Sequence, residues 1–224
     1  MDKKMNVLNV QLNDYTAKDA MKAITEYMQT EAVNTVEIVT VDILMRVAQT
    51  EGLKENLEQL DMVLAGDEAI LEAAGVDEKK KIQEAHNRVF MKMILRYFHK
   101  SRLRLFILAD SEEETKNLQN YLNQEYSGID VAGTEVVPGD ESADDMITNQ
   151  INGAEVDCVL ASLGSPKQEE FINRCKNALS TRLWLGIGRE AMLFPKKENW
   201  FESLKDFIER RILKREMARI DRTK

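Results

Sequence analysis

Short apolar segments rich in β-branched residues alternate along this chain with longer segments of helical period, and no other feature restricts its fold as much. Met5–Leu12 alternates with period two and reads as a strand. Thr16 reads as a helix N-cap, with Asp19 three residues on, for a helix running to Glu31. Val33–Val41 is the second expected strand, followed by helical pieces over Leu44–Thr50 and Leu53–Gln59. A short strand, Asp61–Ala65, and a short helix, Glu68–Ala74, come next, the helix stopping at Gly75. Lys79–Lys100 reads as one long amphipathic helix with Ile82, Ala85, Val89, Met93 and Tyr97 on its apolar face. The remaining expected strands are Leu103–Ala109, Ile129–Val137, Val156–Leu163 and Arg182–Ile187, separated by helices over Glu112–Tyr126, Ala143–Asn152 and Pro166–Ala178. This order implies βαβ crossovers: an α/β, Rossmann-like fold with a mainly parallel sheet and helices on both faces. Residues 1–195 are expected to form that domain and 196–224 a C-terminal helical appendage, whose helix runs from Trp200 to about Asp221.

Only 10 Gly and 3 Pro occur in 224 residues, which fits short loops and many helices. No run of about 18 apolar residues is present to span a membrane, and the segment after Met1 lacks an apolar leader core, so a cytoplasmic location is expected. Cys158 and Cys175 have no metal spacing and read as reduced thiols, and two His residues make no metal constellation. Neither a P-loop nor a nucleophile elbow is found. The net charge of -8 is uneven: residues 196–224 hold ten basic and six acidic side chains, or +4, leaving -12 on the first 195. Lys79–Arg104 is a second basic stretch, with nine basic residues against Glu84 alone.

In a parallel sheet ligands bind beyond the carboxyl ends of the strands. Those ends carry Thr40-Val41-Asp42, Ala65-Gly66-Asp67, Ala109-Asp110-Ser111, Gly164-Ser165-Pro166-Lys167-Gln168-Glu169 and Gly186-Ile187-Gly188-Arg189. The hexapeptide is the richest. Gly164 permits a tight turn, Ser165 can cap the helix that Pro166 starts, and Lys167 sets a cation beside free backbone N–H groups suited to a phosphate or diphosphate. Gln168 can both donate and accept, as sugar or base recognition requires. An ordinary capped turn is the alternative. Asp42 and Asp67 are either acid–base or diphosphate-binding groups or solvated turn residues. Gly186-x-Gly188-x-x-Ala191 also matches a dinucleotide fingerprint, but at the last strand, leaving no following unit to carry a ribose-binding acid.

The hexapeptide Gly164–Glu169 resembles the signature of the WecG/TagA/CpsF glycosyltransferase family, and the resemblance extends over most of the chain. Val7–Val10 with Asn13–Thr16 is similar to the family's opening strand and capped helix. Val39–Leu44 resembles its T-[PV]-N-A-E-[ILM]-L segment, Asp61–Asp67 its D-L-V-L-P-D-G turn, and Leu185–Gly188 its I-G-V-G-G. The resemblance implies transfer of N-acetylmannosamine or a related hexosamine from a UDP-sugar donor to a lipid-diphosphate-linked acceptor. It implies neither a metal nor a cofactor. Carried over by position, Thr40 and Gln168 match residues that shape the family's substrate pocket; Asp67 is the candidate base if the turn shifts by one residue, and Asp42, Gly164, Ser165, Lys167, Gly186 and Arg189 are further candidate substrate-binding residues. Several positions depart from the pattern. The P-D-G turn reads Ala65-Gly66-Asp67, which puts Gly66 at the base position and a carboxylate one residue late. Asp42 replaces an Asn, Arg189 replaces a Gly, and Lys79–Val89 stands where the family has R-V-x-G-x-D. A relative that has lost the chemistry and binds nucleotide or a partner protein is therefore the alternative function.

The resemblance further implies a C-terminal appendage that holds the protein at the inner face of the cell membrane. Trp200, Phe201, Leu204, Phe207, Ile208, Ile212 and Leu213 form an apolar stripe, with Arg210, Arg211, Lys214, Arg215 and Arg219 supplying positive charge. Packing of this helix on its own domain or in a homo-oligomer is the alternative. Nucleic acid is not expected, since no recognition motif accompanies the acidic body.

Overall fold

Leu105, Ile107 and Ala109 face one side of a sheet, while Phe106 and Leu108 face the other, and all five are buried. A strand covered on both faces must be apolar throughout, which is why its sequence shows no polar alternation. The computed structural model describes residues 3–47, 49–189 and 211–219. Its elements in chain order are β1 (Lys4–Val7), β2 (Val10–Asn13), α1 (Ala17–Tyr27), β3 (Asn34–Val39), α2 (Val41–Val47) and α3 (Leu53–Glu58). These are followed by β4 (Met62–Ala65), α4 (Glu68–Ala73), α5 (Lys79–His86), α6 (Val89–Ser101), β5 (Arg104–Ala109) and α7 (Glu112–Glu125). The series closes with β6 (Asp130–Val136), α8 (Asp144–Gly153), β7 (Cys158–Ser162), α9 (Lys167–Cys175) and β8 (Leu183–Gly186). Six strands form one sheet in the order β4-β3-β8-β7-β5-β6, every neighbouring pair parallel. The expected α/β, Rossmann-like architecture is present.

Two apolar cores flank the sheet. One joins Val39, Phe106, Val159 and Trp184 to residues of α2, α3, α8 and α9. The other joins Val36, Ile107, Leu160 and Leu185 to α1, α6 and α7. Thr16 and Asp19 form the expected capping box at the start of α1, each side chain satisfying the other's backbone N–H.

Three local expectations are corrected. Met5–Leu12 is not one strand but the hairpin β1–β2, turning at Leu8 and Asn9 with φ of 51° and 66°. The turn keeps Val7, Leu8 and Val10 buried, and the sequence marks it only by the adjacent apolar pair Val7-Leu8, where the alternation changes phase. The Lys79–Lys100 helix is divided at Arg88, which adopts φ 51° as the residue before α6. The buried face of α6 is then Met91, Ile94, Leu95 and Phe98, and buried Lys81 on α5 turns to Asp14 at 2.6 Å. Neither break carries the Gly or Pro that marks one in sequence. Finally, α9 begins at Lys167, so Pro166 takes the N-cap position and Ser165, one residue too early, caps nothing.

Residues 211–219 are helical, with Leu213 in the same core as the hairpin and Met217 Sδ accepting the Leu8 N–H at 3.2 Å. This part of the appendage packs on its own chain and keeps Arg211, Lys214, Arg215 and Arg219 exposed. The boundary at 195 and the stripe from Trp200 to Ile208 lie outside the described residues. Among the described residues, no helix is long and apolar enough to cross a membrane.

Candidate functional site at the carboxyl edge of the sheet

Because the strands are parallel, their carboxyl ends meet along one edge, and the polar residues expected there fall into three groups. The first joins β3 to β4. Thr40 Oγ1 accepts the Ile43 N–H at 3.4 Å at the start of α2. Asp67 Oδ2 accepts the Val41 N–H at 3.1 Å, and the Gly66 N–H donates to Val39 O at 2.8 Å. The half-buried Asp67 carboxylate thus stitches the two strand ends together and sits at the positive end of α2. Asp42 is exposed and pairs with Arg46 at 2.9 Å, one turn along α2.

The second group surrounds Asp110, at the end of β5. Its carboxylate accepts the Gly164 N–H and Arg189 Nε, each at 2.8 Å, and is ion-paired with Lys167. Lys167 Nζ also donates to Val137 O at 2.8 Å, tying in the end of β6. Gly164 lies so close to the Arg189 guanidinium that a Cβ there would meet Nε at 2.8 Å. Burial alone would push the Asp110 carboxyl up, but hydrogen bonds from Lys167, Arg189 and Gly164 outweigh it and hold the group below its ordinary range. Asp110 was among the strand-end residues in the sequence but not among the expected binding residues. Only the fold shows that both cations converge on it. Replacing it, Asp110→Asn, is expected to cost about 2 kcal/mol at neutral pH in urea unfolding. Its stabilising contribution is complete above the unfolded value of about 3.9 and disappears as pH falls through the lower folded value. The variant should therefore lose less stability than the parent on acidification.

The third group is buried. Gln168 is 0% exposed, and its Oε1 accepts the N–H groups of Leu163 and Gly188, each at 3.4 Å. It packs over Gly186, beside Glu37 of β3. Gly186 therefore leaves its missing side-chain volume to Gln168 and Glu37, not to a pyrophosphate. The dinucleotide pattern gains nothing from this geometry, and its Ala191 lies outside the described residues. Ser165 Oγ is buried without a hydrogen-bond partner.

A small cleft of about 60 Å³ opens at the end of β4, between the hairpin–α1 connection and α5–α6. Ile38, Leu64, Ala65 and Gly66 line one side, with Tyr15, Thr16, Lys81, Glu84, Arg88 and Phe90 opposite. Gly66 lines it and Asp67 does not. Lys81 is engaged by Asp14 at 2.6 Å and Glu78 at 3.0 Å, and Glu84 Oε2 accepts the Ala17 N–H at 2.8 Å.

A parallel α/β sheet with cations, an acid and amide groups gathered at its carboxyl edge has these groups where folds of this class place their ligands. The sequence matches the model of the Glycosyl transferase WecG/TagA/CpsF family over residues 5–194, and the chain belongs to that family. Among similar proteins is the N-acetylglucosaminyldiphosphoundecaprenol N-acetyl-beta-D-mannosaminyltransferase of Staphylococcus aureus strain MRSA252. It is 21% identical over 193 residues, covering 85% of this chain and 75% of the relative. The protein of the same name from strain NCTC 8325 / PS 47 matches at the same identity and coverage. A nicotinate phosphoribosyltransferase structure from Vibrio cholerae is 16% identical, covering 81% of this chain and 46% of that one. Its TM-score is 0.23, too low to bear on fold or function.

Proposed function

We propose that this chain transfers N-acetylmannosamine or a related hexosamine from a UDP-sugar to a lipid-diphosphate-linked acceptor. One observation carries the reading: although the P-D-G turn is altered, a carboxylate, Asp67, still stands at the end of β4 and is held against the end of β3. Transfer requires a base within about 3 Å of the acceptor hydroxyl. Asp67 is that base, its second oxygen taking the proton as the hydroxyl attacks the sugar carbon and UDP leaves. Lys167 and Arg189 stabilise the departing diphosphate, with Arg88 contributing from the cleft. Asp110 pre-orients the first two, so little reorganisation is needed when the anion arrives. Thr40, Asp42 and Gln168 shape the pocket.

The test is UDP release from a panel of UDP-hexosamines with a lipid-diphosphate acceptor analogue. Turnover with at least one donor is expected, and UDP release with none of them refutes the reading. A second reading has its own support: Asp67 is occupied by Val41 and absent from the cleft lining, as in a relative that binds nucleotide to regulate a partner. Calorimetric UDP binding without any turnover would favour it.

Membrane attachment follows from the same reading. The exposed cations Arg211, Lys214, Arg215 and Arg219 are each worth about 1 kcal/mol near an anionic surface. Co-sedimentation with phosphatidylglycerol vesicles is expected to weaken at least about tenfold when all four become Gln. Equal binding to neutral vesicles would exclude this role.

A further inference from the structure

Two carboxylic side chains lie in the core where the proposed chemistry uses neither. Glu37 on β3 and Glu169 in the first turn of α9 are both 0% exposed. The neighbouring strands offer them no cation: β3 pairs Glu37 with Val63 and Gly186, and Gly186 pairs with Ala161. None of the four carboxyl oxygens makes a well-formed hydrogen bond, although Gln168 and Ser165 lie near enough to act on the pair, and Gln168 Nε2 makes none either. Glu37 and Gln168 share one small space, and Glu169 lies within hydrogen-bond reach of Glu37. A Cβ on Gly186 would lie 2.7 Å from Gln168 Nε2, 3.0 Å from its Cδ and 3.3 Å from Glu37 Cγ. At its other end, Gln168 Oε1 takes the N–H groups of Leu163 and Gly188. Gln168 therefore spans from the acid pair to the loops after β7 and β8, which carry Gly164, Lys167 and Arg189.

Two ionised carboxylates cannot stand side by side in such a place, because burial and mutual repulsion together cost far more than folding supplies. A hydrogen placed between them converts four orphan acceptors into a donor–acceptor pair, leaving an oxygen free to accept from Gln168 Nε2. We propose that Glu37 and Glu169 hold a proton between them and thereby fix Gln168, acting as positioning residues for the carboxyl-edge site. Burial, and then the charge of Glu169, push the Glu37 carboxyl well above its ordinary range, and burial pushes Glu169 up as well. Glu170 on α9 adds a further charge acting on the pair, while Gln168 and Ser165 contribute dipoles. The sign follows. With both folded values raised, the pair's contribution to stability is complete below the unfolded value of about 4.3 and is lost as pH rises through the folded values. Above them a second charge enters the core, and Gln168 loses its fixed partner.

Infrared spectroscopy and amide NMR on the full, ligand-free chain test this. At about pH 7 the wild type should show a carboxylic-acid C=O band that disappears in Glu37→Gln and in Glu169→Gln, either variant serving if the other fails to fold. The Leu163 and Gly188 amide resonances should titrate with the same midpoint as that band and stop titrating in the variants. Absence of the band, or amides that ignore its titration, overturns the proposal. The consequence for ligand rests on the sugar-transfer reading: UDP affinity should fall with rising pH by at most about tenfold per pH unit, the limit for one proton, and Glu37→Gln should flatten that profile. A normal band and normal amide titration with no UDP binding at any pH would sink the sugar-transfer reading and leave the acid pair standing. A UDP profile as steep in Glu37→Gln as in wild type would overturn the positioning role.

Discussion

Asp67→Asn should lower kcat for sugar transfer by about 10²-fold or more, with KM for the donor changing only a few-fold. Asparagine has the shape of aspartate, and its side-chain oxygen can still accept the Val41 N–H that Asp67 holds at 3.1 Å. The link between β3 and β4 is therefore retained and only the capacity to take a proton is removed. A loss of this size at unchanged affinity separates a base from a pocket residue. Steady-state kinetics with the acceptor saturating make the measurement, with thermal unfolding as the check that the fold is intact. Asp42→Asn is the comparison for a pocket residue: it should move KM and leave kcat within a few-fold. If both substitutions cost the same few-fold, Asp67 is not the base.

Trp184→Ala should be the most destabilising substitution considered, at about 3–5 kcal/mol in urea unfolding. Trp184 on β8 is 0% exposed and stacks on Phe171 of α9, with ring centroids 5.7 Å apart and planes at 22°. Removing the indole leaves a cavity under the helix that carries Lys167, Gln168 and Glu169, so UDP affinity should weaken along with stability. Trp184→Phe refills most of the space and removes a buried indole N–H that has no acceptor. Its cost should stay below about 1.5 kcal/mol. Equal losses for the two variants would mean that the filled volume is not what secures α9.

What the sequence disclosed and what it withheld divide along the range of the interactions. The Thr16–Asp19 capping box is local chemistry and is legible in four residues. The strand order of alternation is legible because parallel strands buried on both faces must be apolar, as Leu105–Ala109 is. The turn at Leu8-Asn9 is marked only by the adjacent apolar pair Val7-Leu8, a phase change too slight to read as a reversal without Gly or Pro. The break at Arg88 carries no Gly or Pro either, and the burial of Lys81 on α5 depends on Asp14, a partner 67 residues away. The site shows the same limit. The residues just past each strand could be named from alternation alone, and Thr40, Asp67, Gly164, Lys167 and Arg189 do reach one edge. Their bonding could not be named, because Asp110 gathers groups from 54 to 79 residues downstream. Glu37 carried a signal that alternation alone does not weigh. An acid inside the otherwise apolar run Val36–Val39 must stay protonated or find a partner, and the proposed sharer of its proton, Glu169, is brought near only by the tertiary fold.

Diffraction from crystals of this chain soaked with UDP tests most directly the claim that the carboxyl edge is a UDP-sugar site served by Asp67. The account predicts the diphosphate at Lys167 and Arg189, with the Asp67 carboxylate facing the position of the transferred sugar. UDP bound away from that edge, or no UDP at saturating concentration, would contradict it.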